Sequence, residues 1–395
     1  MIPYSRQTIT WLDTIYVAYT LKFKNLTQGS AIGKFEKSVA DYVGVKYAVA
    51  VSSATAGLHL AHLALGHPKG SKVATSPLSF VASANSILYA GQIPIFVDVE
   101  LNSGNISAEA FRETIKRNNV KTLVPVHYAG GPCDMFELRK ICNEHDISIV
   151  EDAAHALGSN YMSGEKIGSC KYSDLTVFSF HPVKTVTSGE GGIITTNNKI
   201  LYERLLRLRS HGIHRNSEDY KDKIFAYTGT VINPWYYEMD TLGYHYRITD
   251  IQAALGYSQM KKITKFVKKR EKLTRRYDKA FRNNMYLSPI QLSWRKISAN
   301  HLYAIKIDFT KLSLSRNQLI MKLRSRGIIT QVHYLPIPLQ SYYQNLRYKV
   351  EDLPNTMSIY SQLLSIPIYP NLGFLKQKKV IRKIQEIIND HKTTI

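Results

Sequence analysis

The sequence predicts an α/β protein with a large domain built on a mostly parallel sheet and a smaller C-terminal α+β domain. Between residues 45 and 200, short apolar runs rich in β-branched residues alternate with helical patterns, which is typical of a parallel sheet covered by helices on both faces. After about residue 245 this alternation stops, and a long helical pattern takes over. We therefore divide the chain into residues 1–245, which include an N-terminal arm, and residues 246–395.

Seven strands are predicted in the first region, and most of the runs that predict them are too short to be helices. They are residues 47–51, 72–75, 93–97, 122–126, 147–150, 175–180 and 192–195. Residues 213–240 have no clear period, so we expect an excursion from the sheet. In the second region, the pattern from 248 to 281 predicts one long helix. HLYAIKID and ITQVHYLP predict strands, and KKVIRKIQEIIND predicts a closing helix.

Composition limits the classes of protein that this chain can belong to. Hydrophobic residues make up 44% and charged residues 21% of 395 residues, which excludes collagenous, coiled-coil and mainly disordered proteins. The formal net charge of +22 would suit nucleic acid, a membrane surface or phosphorylated substrates equally. Cys133, Cys142 and Cys170 lack CxxC spacing, so we expect no disulfide framework and no metal site. Without a signal sequence or an apolar run of 18 residues, the chain is predicted to be cytoplasmic, with no membrane insertion.

Polar residues follow the ends of predicted strands, where ligands bind in open α/β sheets. DISIVEDAAH places Asp152 at a strand end with His155 three residues on, although a lone acid there is more often a helix cap. FSFHPVKTVTSGEGG places Ser179 at another strand end and Lys184 in the following loop. A lone loop lysine is usually a solvated charge. Here, proline and glycines would fix an amine close to a flat ligand, so Lys184 is the candidate for a Schiff-base amine.

Two further segments add an anion site and an aromatic face. In SSATAG the chain turns from strand to helix, and the small residues Ala54 and Thr55 allow backbone N–H groups to surround a phosphate; an ordinary helix cap is the commoner role. Phe80 in PLSFVASAN either belongs to the core or stacks on a planar ring. An amine, a carboxylate, an anion cup and an aromatic face are together what pyridoxal 5′-phosphate (PLP) requires.

Motifs over nearly the whole chain resemble, in order, the DegT/DnrJ/EryC1/StrS family of PLP-dependent nucleotide-sugar aminotransferases. They are LTQG, SSATAGLHLA, PLSFVASAN, EDAAHALGS, FSFHPVKTVTSGEGG, LRSHG, YRITDIQAALGYSQMKK and GIITQVHYLP. The resemblance implies a fold-type I transferase and a homodimer whose active sites lie at the subunit interface. Within the family, LTQG, FSFHPVK and QVHYLP resemble the enzymes of pseudaminic acid synthesis.

The resemblance also implies roles for single residues. Lys184 would bond to the cofactor, Asp152 would pair with its pyridine nitrogen, and His155 would lie near its phenolic oxygen. The phosphate contacts and the ring cover would be Ser179, Ala54, Thr55 and Phe80. The sugar-nucleotide pocket would be lined by Tyr4, Leu26, Thr27, Gln331, His333 and Tyr334.

One position departs from the family pattern. Relatives usually carry Asn in a GxNxR stretch before the long helix, where it reaches the cofactor phosphate of the neighbouring subunit; here GYHYR places His245 there. Because imidazole can donate a hydrogen bond, we retain His245 as a phosphate ligand. A solvated or core histidine is the alternative reading, and Asn233 is a less favoured substitute.

The activity implied by the resemblance is amino transfer from glutamate to C4 of a UDP-linked 4-keto-6-deoxy sugar. The alternative within enzymes is another nucleotide 4-keto sugar, of the perosamine or 4-amino-arabinose type. Relatives with His in place of the lysine are sugar dehydratases, and Lys184 argues against that chemistry. A distant alternative is a basic nucleic-acid-binding regulator, based on 11 Lys or Arg within residues 261–282. No helix-turn-helix, zinc-finger or RNP motif accompanies that run, so no nucleic-acid partner is expected.

Overall fold

A seven-stranded sheet forms the centre of the larger region in this computed structural model, which describes residues 1–392. Its strands lie in the order β1-β7-β6-β5-β4-β2-β3, and only β7 runs antiparallel to its neighbours. The mostly parallel sheet is therefore confirmed, and every predicted strand of the first region is present. The bounds are β1 (Tyr47–Val51), β2 (Lys72–Thr75), β3 (Ile93–Phe96), β4 (Val120–Val124), β5 (Ser148–Asp152), β6 (Leu175–Ser179) and β7 (Gly192–Thr196).

Helices cover both faces of this sheet. Successive residues of one strand pack in different cores: Phe178 belongs to one hydrophobic cluster, whereas Val177 belongs to another. Strands buried on both faces explain why β6 and β7 are almost continuously apolar or β-branched in sequence. The covering helices include α1 (Trp11–Phe23), α2 (Ser30–Val43), α3 (Ala54–Leu65), α4 (Ala82–Tyr89), α5 (Ala108–Arg117), α6 (Met135–Glu144) and α7 (Lys199–Arg209).

Residues 213–240 leave the main sheet, as predicted. They form two separate two-stranded ladders, one short α-helix and a 3₁₀ turn at Ser217–Asp219. These elements are β8 (Ile213–His214), α8 (Lys223–Ala226), β9 (Tyr227–Thr228), β10 (Val231–Ile232) and β11 (Glu238–Met239).

The C-terminal region is built on a three-stranded antiparallel sheet, β12-β13-β14, with its own hydrophobic core. HLYAIKID contains β13, and the closing helix is α14, so both predictions are confirmed. The elements are α9 (Asp250–Met260), α10 (Ile263–Phe281), β12 (Leu287–Pro289), β13 (Tyr303–Ile307), α11 (Arg316–Ser325), α12 (Ser341–Asn345), α13 (Pro354–Gln362), β14 (Leu363–Ile366) and α14 (Phe374–Asn389).

Two predictions for this region are wrong. The single long helix from 248 to 281 is two helices, α9 and α10. Their joint at Lys262 is tied to the start of α1, because the lysine ammonium contacts Asp13 and donates to Thr10 Oγ1 at 2.9 Å. ITQVHYLP is not a strand: it makes one isolated bridge, between Gln331 and Ser365, and then turns inward to line a cavity.

The predicted boundary at residue 245 stays a prediction. The hydrophobic clusters show where along the chain the buried side chains pass from the core of the large sheet to the C-terminal core. Ile263 and Phe266 of α10 still pack in the core beneath the large sheet, whereas Leu273 and Tyr277 of the same helix pack in the C-terminal core. Helix α10 therefore links the two cores. Among residues 1–392, no helix is long and apolar enough to cross a membrane.

Candidate active site

A cavity of about 550 Å³ lies at the carboxyl-terminal edge of the large sheet, beside the C-terminal region. The structure brings most of the predicted site residues together here. Those that line the cavity are Tyr4, Ala54, Thr55, Phe80, Asp152, His155, Ser179, Lys184, Gln331, His333 and Tyr334. Leu26, Thr27 and His245 do not line it.

Asp152 is the last residue of β5, and its carboxylate is held firmly. Ser83 Oγ donates to Oδ2 at 2.7 Å, and the Ala154 N–H donates to Oδ1 at 3.1 Å. The backbone is fixed as well, because the Asp152 N–H donates to the Pro125 carbonyl and its own carbonyl accepts from the His127 N–H. The carboxylate retains lone pairs for a donor in the cavity.

Lys184 lies in a loop between β6 and β7 whose ends are tied together. Within it, the Lys184 N–H donates to the His181 carbonyl at 2.9 Å, and Thr187 Oγ1 donates to the Phe180 carbonyl at 2.9 Å. Burial lowers the pKa of the Lys184 ammonium from 10.5 to about 8, although the nearby Asp152 carboxylate opposes the shift. A substantial fraction of the amine is therefore neutral near physiological pH.

The start of helix α3 lines the same cavity, and its first backbone N–H groups are available to an anion. Ser53 caps the helix by accepting from the Ala56 N–H at 3.1 Å, and the first N–H groups of a helix have no partner within it. Gly192 of β7 makes the close approach possible, since a Cβ there would lie 2.5 Å from the Ser53 carbonyl oxygen. Ser179 Oγ lies at the end of β6 on the lining of the same cavity.

Three histidines and a tyrosine form another part of the cavity wall. His155 Nε2 lies 3.0 Å from the Tyr334 hydroxyl, and its ring centroid lies 4.6 Å from that of His301. Burial, followed by the charge of Lys184, lowers the pKa of His155 well below 6.5 and that of His333 to about 3. Both rings are therefore neutral and can donate or accept single hydrogen bonds without adding charge.

Aromatic side chains stand near the mouth of the cavity. Phe80 remains 58% exposed, with its ring centroid 6.2 Å from that of Tyr334. Tyr4 stands 5.3 Å from the His333 ring. An exposed aromatic ring beside a cavity is suited to stacking on a flat ligand rather than to filling the core.

These residues fit the requirements of PLP on observations of this structure alone. The Nδ1 atoms of His155, His301 and His333 are buried without a hydrogen-bond partner among the described residues, so the wall has unused hydrogen-bonding capacity. The cavity combines this capacity with an amine, a carboxylate and a helix start. Among residues 1–392, no group of three His, Cys, Asp or Glu is placed to hold a metal ion.

The predicted residues outside the cavity lie on the surface. Leu26 is 47% exposed, and Thr27 forms an isolated bridge with Thr249. His245 is exposed and forms an isolated bridge with Ser210. Their roles stay predictions.

Sequence reasoning missed Ser83 and His301. Ser83 belongs to the quoted motif PLSFVASAN and lies three residues after Phe80, so helical spacing could have placed it on the same face. His301 precedes β13, far away in sequence, and no pattern in the sequence indicates that it meets His155.

A closed polar network lies behind the site, around Glu151. This carboxylate is completely buried and accepts from His127 Nε2 at 2.6 Å, Tyr161 OH at 2.7 Å, Thr176 Oγ1 at 2.9 Å and Ser173 Oγ. Burial alone would raise the pKa of Glu151, but these hydrogen bonds, led by His127, outweigh it and hold the pKa below 4.5. His127 Nδ1 accepts from the backbone N–H of residue 133, which leaves the ring proton on Nε2, facing Glu151.

The chain is similar to known proteins over nearly its full length. The DegT/DnrJ/EryC1/StrS aminotransferase family matches residues 9–385. A UDP-4-amino-4,6-dideoxy-N-acetyl-beta-L-altrosamine transaminase from Campylobacter jejuni is 38% identical over 384 residues, which cover 97% of this chain and 96% of that protein. Two solved structures share the fold. PseC of Helicobacter pylori, described as an aminotransferase of pseudoaminic acid biosynthesis, has a TM-score of 0.89 at 31% identity and covers 98% of this chain and 99% of its own.

The second is a sugar aminotransferase from Streptococcus pneumoniae in its PLP-form. It has a TM-score of 0.86 at 28% identity and covers 98% of this chain and 99% of its own. These similarities confirm the predicted fold class and the predicted cofactor.

Proposed function

From the premise that the chain belongs to the DegT/DnrJ/EryC1/StrS aminotransferase family, we propose that it transfers an amino group from glutamate to C4 of a UDP-linked 4-keto-6-deoxy-N-acetylamino sugar. The observation that carries the proposal is that Lys184 and Asp152 face one cavity at the ends of adjacent strands. The names of the Campylobacter and Helicobacter relatives favour this sugar and the pseudaminic acid pathway.

The proposed roles follow from the positions of the side chains. PLP, when bound, supplies an aldehyde and an electron-accepting ring. Asp152 would accept a hydrogen bond from the protonated ring nitrogen, and Ser83 keeps its carboxylate oriented. Ser179 and the N–H groups of Ala54 and Thr55 at the start of α3 would hold the phosphate.

Lys184 is proposed to hold the cofactor and to move the proton. Its pKa of about 8 makes the neutral amine available as a base at the Cα of the amino-acid donor. The ammonium that results remains close to the Asp152 carboxylate, which offsets part of the cost of a buried charge. His155 would lie near the phenolic oxygen, and Phe80 would cover the ring.

The open side of the cavity is proposed to take the sugar nucleotide. Tyr4, Gln331, His333 and Tyr334 line this side. Leu26 and Thr27 would complete it from a second subunit, and His245 would reach that subunit's cofactor phosphate. Large apolar side chains on the exposed surface support a homodimer with shared sites; they include Trp11, Phe23, Ile224, Phe225 and Trp235.

The predicted cytoplasmic location belongs to the same proposal. It is supported by Cys133, Cys142 and Cys170, which are all free and buried.

The function is tested by amino transfer from glutamate to a panel of UDP-, GDP- and dTDP-linked 4-keto sugars. We expect the UDP-linked 4-keto-6-deoxy-N-acetylamino sugar to give the highest kcat/KM. Lys184→Ala should abolish both transfer and the visible absorption of the lysine-bound cofactor. The control is Lys166→Ala, which removes a half-buried lysine that is hydrogen-bonded to Asn160. This variant should retain both amino transfer and the visible absorption. A preference for a GDP- or dTDP-linked sugar of the perosamine or 4-amino-arabinose type would instead support the alternative substrate.

Shared active sites are tested by mixing subunits. Lys184→Ala lacks the amine, whereas His245→Ala lacks the contact proposed to act across the interface. If each site draws on both subunits, a mixture of these two variants should recover activity that neither has alone. A monomer in sedimentation, or full activity of His245→Ala, would contradict this part of the proposal.

A further inference from the structure

A second cavity, of about 890 Å³, lies in the C-terminal region between α10 and residues 284–296. It has no lining residue in common with the cavity around Lys184. Its walls are α10, the strand β12 and the short turn of Leu292–Trp294. Neither the amino-transfer chemistry nor the sugar-nucleotide pocket uses this part of the chain.

Cations predominate on the lining of this second cavity. They are Arg275, Arg282, Arg295 and Lys296, against the carboxylates of Glu271 and Asp278. Both carboxylates already have partners. Glu271 accepts from Arg275 at 3.0 Å, and Asp278 accepts from the Tyr303 hydroxyl at 2.7 Å. The remaining positive charge is therefore available to an anion.

The arginine at the base of the second cavity is held in one orientation. The Arg295 guanidinium lies over the Tyr303 ring, 4.7 Å from its centroid, and its Nε lies 3.4 Å from Asp278 Oδ2. Its Nε and Nη2 are both buried without a hydrogen-bond partner among residues 1–392. The Tyr303 ring therefore fixes the plane of a guanidinium whose donors are not used within the chain, and phosphate oxygens are matching acceptors.

A second unpartnered group lines the same cavity. Thr274 is 1% exposed, and its Oγ1 has no hydrogen-bond partner within the described part of the chain. Buried hydroxyl groups normally have one, so Thr274 adds unused hydrogen-bonding capacity to that of the Arg295 guanidinium on this lining. Apolar side chains of Phe281, Leu287 and Pro289 form the remaining wall and suit a planar or apolar group attached to that ligand.

We propose that this second cavity binds a phosphorylated small molecule of the nucleoside-diphosphate class. Arg282, Arg295 and Lys296 contact the phosphates, and the wall around Phe281 receives the planar group. The volume lies within the range of roughly 300–1,000 Å³ found for small-molecule sites. The site is independent of the proposed reaction.

A ligand in the second cavity contacts a helix that also reaches the active site. Arg270 of α10 is completely buried and donates to the carbonyls of His301 at 3.0 Å and Ile368 at 3.2 Å. His301 lines the cavity around Lys184. Helix α10 thus lines the second cavity and is also hydrogen-bonded, through Arg270, to the backbone of a residue that lines the first.

The test is calorimetric titration of the PLP-loaded full-length protein with UDP and, separately, with inorganic pyrophosphate. We expect a binding event that Arg282→Ala weakens roughly tenfold, because each substitution of this kind removes a charge-assisted hydrogen bond. Arg282 is exposed at the end of α10, so its removal should leave the fold intact. Arg295→Lys keeps the charge but loses the planar guanidinium that stacks on Tyr303, and it should weaken the same event.

The matched control is Arg382→Ala on α14, which removes an equally exposed positive charge away from the second cavity. It should leave the affinity unchanged. Equal weakening by Arg282→Ala and Arg382→Ala would reveal a general charge effect and overturn the site. The absence of any binding event that depends on Arg282 would overturn it as well. The outcome does not depend on the amino-acceptor sugar, because the variants lie outside the cavity around Lys184.

Discussion

The two faces of strand β5 at its carboxyl end carry neighbouring carboxylates in opposite surroundings. Glu151 lies on the closed face, where four side chains satisfy its oxygens. Asp152 lies on the open face, where one hydroxyl and one backbone N–H hold it beside the half-buried amine of Lys184. A carboxylate whose oxygens all accept hydrogen bonds from the chain stabilises the fold. A carboxylate with free lone pairs, next to an amine without a hydrogen-bond acceptor, is available to a ligand.

The largest expected effect comes from neutralising the open face. Asp152→Asn removes the charge that stabilises a protonated ring nitrogen but keeps the size of the side chain. We expect kcat to fall by about 100- to 1,000-fold while the cofactor stays bound. The measurement is turnover together with the visible absorption of the loaded protein. Near-normal turnover would contradict the proposed role of Asp152 and the functional difference between the two faces of β5.

The closed face should respond in stability rather than in chemistry. Glu151→Gln introduces an amide N–H₂ group among four donors and is expected to lower the free energy of unfolding by about 3 kcal/mol in urea at pH 7. Because the pKa of Glu151 is held below 4.5, its contribution is present above that pH and is lost as the pH falls. The difference between variant and wild type should therefore shrink in acid.

An exposed carboxylate provides the control for this comparison. Asp41 pairs with Lys37 at 3.0 Å on the surface of α2. Asp41→Asn should change the free energy of unfolding by less than about 0.5 kcal/mol. A loss for Glu151→Gln as small as that of the control, or a loss that grows in acid, would mean that the buried network does not stabilise the chain.

The pH dependence of cofactor uptake tests the lowered pKa of Lys184 on the open face. Only the neutral amine of Lys184 attacks an aldehyde, and its pKa of about 8 lies below the usual 10.5. The rate at which apoprotein takes up PLP should rise with pH and level off above about 8. In Asp152→Asn the midpoint should fall further, because the carboxylate that favours the ammonium is gone. A midpoint of the uptake rate near pH 10 would show that Lys184 is solvated and would contradict the lowered pKa.

The smallest expected effect is on the residue that orients Asp152. Ser83→Ala removes the hydrogen bond of 2.7 Å to the carboxylate and should lower kcat by roughly tenfold, with little change in KM. Ser86→Ala is the control, since Ser86 lies on the same helix and donates to the Ser83 carbonyl instead of to Asp152. Equal effects of the two substitutions would indicate a general disturbance of α4.

The sequence predicts those parts of the site that depend on local pattern. Asp152 ends an apolar strand and Lys184 lies in the loop that follows another, so their place at the sheet edge can be predicted from the strand ends and from the Pro- and Gly-bounded loop. His301 joins the site only through tertiary packing, and nothing in its neighbourhood indicates this. The segment ITQVHYLP has the composition of a strand, but its second half turns into the cavity, because His333 and Tyr334 pack there instead of pairing with β14.

The position of β7 in the sheet has a consequence for biosynthesis. Within the described sheet, strand β1 pairs with β7 alone. Tyr47 lies opposite Thr196, so β1 has no partner strand until residues near Thr196 have been synthesised. While the nascent chain emerges from the ribosome, the apolar run YAVAV therefore remains unpaired through the synthesis of five other strands. Long-range pairing of this kind is slow and leaves strand edges open to aggregation. The helix start that is proposed to hold the phosphate follows β1 directly, so we expect this part of the site to form only after β7 has been synthesised.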